Sequence, residues 1–183
     1  MLETVDFDKS LIERYDQSGP RYTSYPTAVS FSSDFTEADY RAAVQRSNED
    51  LIPSSLSLYF HIPFCDTVCF YCGCNKIATK DYRMATDYLK LLYREIAMQA
   101  ALFDRDRLVE QLHFGGGTPT FLKPREMQNL MQETRRHFTL SQDSSRDFSI
   151  EIDPRSIAPE DIDFLSELGF NRYSLGVQDI DPE

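Results

Sequence analysis

The chain has 183 residues, of which 41% are apolar, and this is enough for one domain with a buried core. Its 30 acidic and 19 basic residues give a net charge of −11. Nucleic-acid binders usually have the opposite, basic balance, so nucleic acid is not expected as a partner. Residues 1–10 do not read as a signal peptide, and no apolar run is long enough to cross a membrane. We therefore expect a cytoplasmic monomer with no nucleic-acid or membrane partner.

Residues 1–50 are predicted to form an extended and helical N-terminal segment, separate from a domain over residues 51–183. Within the segment, residues 19–26 read GPRYTSYP, and the prolines at both ends make a helix interior unsuitable. The arginine and two tyrosines here either line a binding surface or simply pack on the domain. A short helix is predicted over residues 35–45, with Thr36 as a possible N-cap.

From residue 56 onward the pattern alternates between strand and helix. Strands are predicted over residues 56–62, 109–114 and 147–152, and a fourth from the alternation of Tyr173, Leu175 and Val177.

Three helices are predicted between these strands from their end signals. The first follows Asp81 as N-cap and has an apolar stripe that extends to Phe103. The second begins at Pro124, and the third runs from Pro159 to a stop at Gly169.

This order of elements indicates an α/β fold. Successive strand–helix passages with short connections form a parallel sheet with right-handed crossovers. Four such units are half of a (β/α)8 barrel, which takes about 250 residues. We therefore expect residues 51–183 to be the N-terminal half of a barrel, and the chain to be a fragment of a longer protein.

All four cysteines lie close together, at positions 65, 69, 72 and 74. A structural zinc site would need a second ligand pair farther along, and the nearest other soft ligand downstream is His113, which sits on a strand. An iron–sulfur cluster instead needs several thiolates from one tight loop, as here. Three cysteines would leave one iron without a protein ligand, and Cys74 is too close to Cys72 to bind that iron readily.

Tyr71 completes the pattern Cys-x3-Cys-x-aromatic-Cys, the signature of the radical S-adenosylmethionine (SAM) superfamily. Within it the sequence resembles the oxygen-independent coproporphyrinogen III oxidases. The resemblance rests on residues 61–75 (HIPFCDTVCFYCGCN), 20–26 (PRYTSYP), 114–120 (FGGGTPT), 151–155 (EIDPR) and 174–178 (SLGVQ). It implies that the strands and helices form the first half of a radical SAM (β/α) barrel.

The resemblance also implies a cofactor site. Cys65, Cys69 and Cys72 match the ligands of a [4Fe–4S] cluster whose fourth iron is chelated by SAM. The matches to residues that contact SAM are Tyr59, Tyr71, Gly115, Gly116, Gly117, Thr118, Glu151 and Gln178. In this match Tyr71 packs by the adenine, the glycines and Thr118 receive the methionine moiety, and Glu151 accepts the ribose hydroxyls.

The implied activity is the oxidative decarboxylation of two propionates of coproporphyrinogen III, giving protoporphyrinogen IX in haem biosynthesis. A low-potential electron donor would reduce the cluster. Cys74, Tyr59 and Arg21 are the candidate catalytic residues, with Arg21 expected to meet an anionic propionate. The residues themselves leave a purely structural role open for two of these: Tyr59 as a core aromatic and Cys74 as a small buried residue.

Two other functions compete with this interpretation. Radical-SAM-like haem chaperones resemble the chain around the cluster, but they usually have Phe in place of Cys74 and lack the RYTSYP segment. The other is a zinc-binding module without redox activity.

Overall fold

A computed structural model describes residues 7–16, 27–70 and 72–177 of the chain. The described residues fall into two compact units, one up to Glu37 and one from Ala38. From Ala38 onward the helix Glu37–Asn48 lies within the second unit. In that helix the hydroxyl of Tyr40 donates to Gln99 at 2.6 Å.

The first unit contains helix α1 (Lys9–Tyr15) and a single 3-10 turn at Ala28–Ser30. Asp8 is the N-cap of α1, and its carboxylate accepts hydrogen bonds from the backbone N–H groups of Ser10 and Leu11. The predicted extended segment at residues 19–26, including Arg21, lies outside the described residues.

The second unit alternates strands and helices. Its helices are α2 (Glu37–Asn48), α3 (Tyr82–Ala100), α4 (Pro124–His137) and α5 (Pro159–Leu168). Its strands are β1 (Leu56–Ile62), β2 (Phe64–Cys65), β3 (Ile77–Ala78), β4 (Leu108–Gly116), β5 (Thr139–Leu140), β6 (Asp147–Ile152) and β7 (Arg172–Leu175). A 3-10 turn at Pro119–Phe121 leads from β4 towards α4.

The main sheet has the strand order β1-β4-β6-β7, and every pairing in it is parallel. The short strand β5 pairs with the beginning of β4, and β2 pairs with β3 in a separate ladder. Because all four strands run in the same direction, their carboxyl ends lie along one edge of the sheet. The predicted parallel α/β fold is confirmed.

The core lies between one face of this sheet and the helices. Ile62, Leu112, Phe114 and Ile150 project into it, and each is fully buried. Helix α3 contributes Ala85, Leu89, Leu92 and Ile96, and α4 contributes Met127, Leu130, Met131 and Thr134. Among the described residues, no helix is both long and apolar enough to cross a membrane.

Local signals set the helix ends. Asp81 caps α3 by accepting the N–H of Arg83, and Gly169 ends α5 with a φ of 109°, a conformation that glycine adopts without strain. The predicted extents of four elements differ from the structure. Helix α3 stops at Ala100, so Phe103 packs on the core from the following turn, and β7 ends before Val177. Helix α2 covers Glu37–Asn48 instead of residues 35–45, and β4 covers Leu108–Gly116 instead of residues 109–114.

Candidate cofactor site

The face of the sheet opposite the helices is unusually polar. Alternate residues of a strand point to opposite faces, so burying Phe60 and Ile62 turns Tyr59 and His61 to the other side. The register then places Tyr59 beside His113, and His113 beside Ser149. Titratable and hydroxyl groups from three strands therefore meet on one surface, near the carboxyl ends where α/β proteins bind ligands.

The cysteine loop is anchored where it leaves this sheet. At its base, Ile77 N–H donates to Pro63 O at 2.7 Å, and Thr79 N–H donates to Cys65 O at 2.9 Å. The end of β4 adds a second clamp, since Gly117 N–H donates to Ile62 O at 2.8 Å. The loop is thus fixed to the edge at which β1 and β4 end.

A cavity of about 330 Å³ lies between the loop and this edge. Its lining includes all four cysteines, the turn Gly116–Thr118 after β4, and Glu151 on β6. The four thiols are free, and Thr118 Oγ1 lies 3.6 Å from Cys65 Sγ. The structure therefore brings together eight of the predicted site residues: Cys65, Cys69, Cys72, Cys74, Gly116, Gly117, Thr118 and Glu151.

The neighbouring thiols of Cys72 and Cys74 differ in their surroundings. A hydrogen bond from the backbone of Cys74 lowers the pKa of the Cys72 thiol, and Lys76 acts in the same direction. Partial desolvation raises the pKa of the Cys74 thiol, with further contributions from Cys72 and from the charge of Glu151. The thiolate, which is the form that binds metal, is therefore favoured at Cys72. Cys74 is exposed, so the alternative of a small buried residue is wrong.

The glycines at the end of β4 make room for side chains and backbone of the chain itself. A Cβ on Gly115 would lie 2.8 Å from Nε2 of His113, and one on Gly116 would lie 2.8 Å from the ring of His61. A Cβ on Gly117 would lie 2.9 Å from Cys65 Sγ. Gly115 is absent from the lining of the cavity, and its space is occupied by His113 and Tyr59.

Glu151 is held from two sides. Its Oε2 accepts the N–H of Gly116 at 3.1 Å, and its Oε1 lies 3.3 Å from Nε2 of His113. The other ring nitrogen of His113 lies 2.7 Å from the hydroxyl of Ser149. A carboxylate has about four lone-pair sites, so Glu151 keeps acceptor capacity for a ligand.

Tyr59 is 59% exposed and stacks on His113 with ring centroids 5.6 Å apart, so its alternative as a core aromatic is wrong. Its hydroxyl lies 3.1 Å from Nδ1 of His61, whose Nε2 lies 2.8 Å from the carbonyl of Asn75. Burial raises the pKa of the Tyr59 phenol, and the charge of Glu151 adds to this. Tyr59 lies on the polar face without lining the cavity.

A charged pair follows β6. Asp153 accepts from Nε and Nη2 of Arg155 at 3.0 and 2.7 Å, and these bonds lower the pKa of Asp153. The same hydrogen bonding raises the pKa of Arg155, to which Cys69 makes a smaller contribution. A cation is therefore held close to one of the predicted cluster ligands.

Some functional groups were missed or are untested. Tyr71, Gln178 and Arg21 lie outside the described residues, so their predicted roles stay predictions. The sequence reasoning missed His61 and Ser149 and considered His113 only as a zinc ligand. The signal for them was the strict alternation of polar and apolar residues in β1 and β6.

The residues present fit a [4Fe–4S] cluster and SAM. In the described part of the chain, no three potential ligands converge on a single metal ion. A cubane cluster does not require this, because each thiolate binds a different iron. Cys65, Cys69 and Cys72 supply three thiolates to one cavity, and the missing side chain of Gly117 keeps the space beside Cys65 clear.

Comparison with known proteins identifies the family to which the chain belongs. The model of the radical SAM superfamily matches residues 59–183. The oxygen-independent coproporphyrinogen III oxidase of Pseudomonas aeruginosa is 52% identical over 183 residues, which are 100% of this chain and 39% of that protein. The protein of the same name from Mannheimia haemolytica is 45% identical over 153 residues, which are 84% of this chain and 100% of that sequence.

A solved structure shows the same architecture. Coproporphyrinogen III oxidase (HemN) from Escherichia coli, a radical SAM enzyme, superposes with a TM-score of 0.81 at 46% identity, covering 97% of this chain and 38% of that one. The chain spans about two fifths of the length of the first curated relatives it matches. The chain belongs to the radical SAM superfamily and, within it, to the family of the oxygen-independent coproporphyrinogen III oxidases.

Proposed function

We propose that this chain is the cofactor-binding part of an enzyme that oxidatively decarboxylates two propionates of coproporphyrinogen III, giving protoporphyrinogen IX. The observation that carries the proposal is the convergence of Cys65, Cys69 and Cys72 on one cavity that also contains Glu151. The names of the relatives that match the whole chain support the choice of substrate. We further propose a cytoplasmic, monomeric enzyme supplied by a low-potential electron donor.

The chain's own residues divide the work of binding. Cys65, Cys69 and Cys72 would hold the cluster, and the turn Gly116–Thr118 would present backbone to the amino-acid end of SAM. Glu151 would accept the ribose hydroxyls. The bound cluster and SAM supply the radical chemistry that removes a hydrogen atom from a propionate.

Three further residues are proposed as catalytic. Tyr59 offers an exposed phenol on the polar face of the sheet. Cys74 contributes an exposed thiol to the cavity beside the ligand Cys72. Arg21 is proposed to pair with an anionic propionate.

The ligand assignment is tested in the full-length protein by anaerobic reconstitution with iron and sulfide. The measurements are iron content and the EPR spectrum after dithionite reduction. Cys69→Ser should lose the [4Fe–4S] signal, whereas the matched variant Cys74→Ser should keep it. A cluster that survives Cys69→Ser, or binds zinc in preference to iron, would contradict the assignment.

The activity is tested by turnover. Reconstituted full-length enzyme with SAM and a reductant should convert coproporphyrinogen III to protoporphyrinogen IX with release of CO₂. Stable haem binding without turnover would instead indicate the haem chaperone. Arg21→Ala should weaken the affinity for coproporphyrinogen, and an unchanged affinity would remove that role.

A further inference from the structure

His113 is placed to control the orientation of Glu151. The imidazole bridges two groups of β6, with Ser149 Oγ 2.7 Å from Nδ1 and Glu151 Oε1 3.3 Å from Nε2. Glu151 lines the cavity and its side chain is 44% exposed, so it is open to a ligand there, whereas His113 lies behind it outside the cavity lining. Ser149, in contrast, is buried, and it forms the fixed end of the chain of contacts.

The hydrogen-bond geometry selects one tautomer of His113. The Ser149 hydroxyl has one proton, and its two possible acceptors are Nδ1 of His113 at 2.7 Å and Leu112 O at 3.5 Å. The ionised Glu151 carboxylate, whose Oε1 lies 3.3 Å from Nε2, can only accept a hydrogen bond. A neutral imidazole therefore carries its proton on Nε2 and donates it to Glu151, which leaves Nδ1 to accept from the Ser149 hydroxyl.

The ring is held in this position from its other sides as well. Tyr59 stacks on it at a centroid distance of 5.6 Å and an interplanar angle of 17°. Gly115 leaves the space beside Nε2 open, since a Cβ there would lie 2.8 Å away. The second oxygen of Glu151 accepts the N–H of Gly116. Both carboxylate oxygens therefore have a hydrogen-bond partner, and this fixes the orientation of the carboxylate plane.

We propose that His113 is a positioning residue, fixed by Ser149, that holds the Glu151 carboxylate in the orientation needed to accept two neighbouring hydroxyls of the SAM ribose. This rests on the proposed function, which makes Glu151 the ribose acceptor. His113 itself touches neither ligand nor cluster in this role. Because His113 already restricts rotation of the Glu151 side chain, less conformational entropy is lost when SAM binds.

The test measures dissociation constants in cluster-loaded full-length protein for SAM and for its 2′,3′-dideoxyribose analogue. The wild type should bind SAM more tightly than the analogue. His113→Leu, which removes both ring nitrogens, should weaken SAM binding about five- to tenfold, the worth of one or two hydrogen bonds, and leave analogue binding unchanged. His113→Gln can donate to Glu151 through its amide and should restore most of the SAM affinity.

The outcomes distinguish failure of the His113 positioning role from failure of the Glu151 ribose role. Equal losses for SAM and analogue in His113→Leu would indicate a merely structural role and overturn the inference, as would unchanged SAM affinity. If the wild type does not distinguish the two ligands, the ribose role of Glu151 itself is wrong. Iron content and circular dichroism, matched between variants, show that the cluster and fold are intact.

Discussion

Gly117→Ala is the sharpest test of how the cysteine loop meets the sheet. The new Cβ would lie 2.8 Å from the carbonyl oxygens of Pro63 and Phe64 and 2.9 Å from Cys65 Sγ. Ordinary contact begins at 3.4 Å, so the shortfall against the two carbonyls is 0.6 Å. Both carbonyls belong to backbone that is bonded to its neighbours, and only the Cys65 side chain can rotate away.

Two effects should follow from this overlap. Overpacking at a site that cannot relax costs about 1–3 kcal/mol, and we expect the free energy of unfolding to fall by about 2 kcal/mol. Rotation of the Cys65 side chain away from the added methyl group would also misplace a cluster ligand. Reconstituted iron content should therefore fall together with stability.

Urea denaturation of the chain measures the first effect, and iron analysis after reconstitution of the full-length protein measures the second. Gly73→Ala is the matched control for stability, because it adds the same methyl group inside the same loop, where no protein atom lies within 4 Å. If both variants lost stability equally, the close packing between Gly117 and the loop would not be the cause.

Two further predictions concern the scaffold. Hydrogen bonds from Arg83 lower the pKa of Asp81 from 3.8 to about 2. The carboxylate's stabilising contribution is therefore complete above pH 3.8 and is lost as the pH falls towards 2. In Asp81→Asn this part of the pH dependence of the unfolding free energy should vanish. An unchanged pH dependence in the variant would contradict the assignment. Leu130→Ala, at a fully buried position, should cost about 2–5 kcal/mol in urea denaturation. Leu91→Ala, 62% exposed on α3, should change stability by at most about 0.5 kcal/mol, and similar losses in both would refute the location of the core.

The helices were predictable because their ends are specified locally. Asp81 caps α3, Pro124 and Pro159 occupy first helical positions where a missing N–H is harmless, and Gly169 takes the positive φ that ends α5. These signals act within one turn of chain. The end of α3 was less predictable, because Phe103 continues the apolar spacing after the helix has stopped at Ala100.

The partners within the site could not be read from the sequence in the same way. His113 and Ser149 are far apart along the chain and meet only because β4 lies beside β6 in a particular register. The contact between His61 and the carbonyl of Asn75 likewise depends on the path of the cysteine loop. The motifs identified which residues matter, whereas strand order decided which of them touch.

The short ladder between β2 and β3 closes the cysteine loop into a ring whose base is independent of any metal. Its hydrogen bonds, at Pro63 with Ile77 and at Cys65 with Thr79, are backbone contacts of 2.7 and 2.9 Å. Because these bonds already join the two ends of the loop, the entropy of loop closure is lost when the domain folds and not when a ligand binds. Loss of a bound cluster would free the cysteine thiolates but would not break these backbone bonds, so we expect the emptied loop to keep its ends joined.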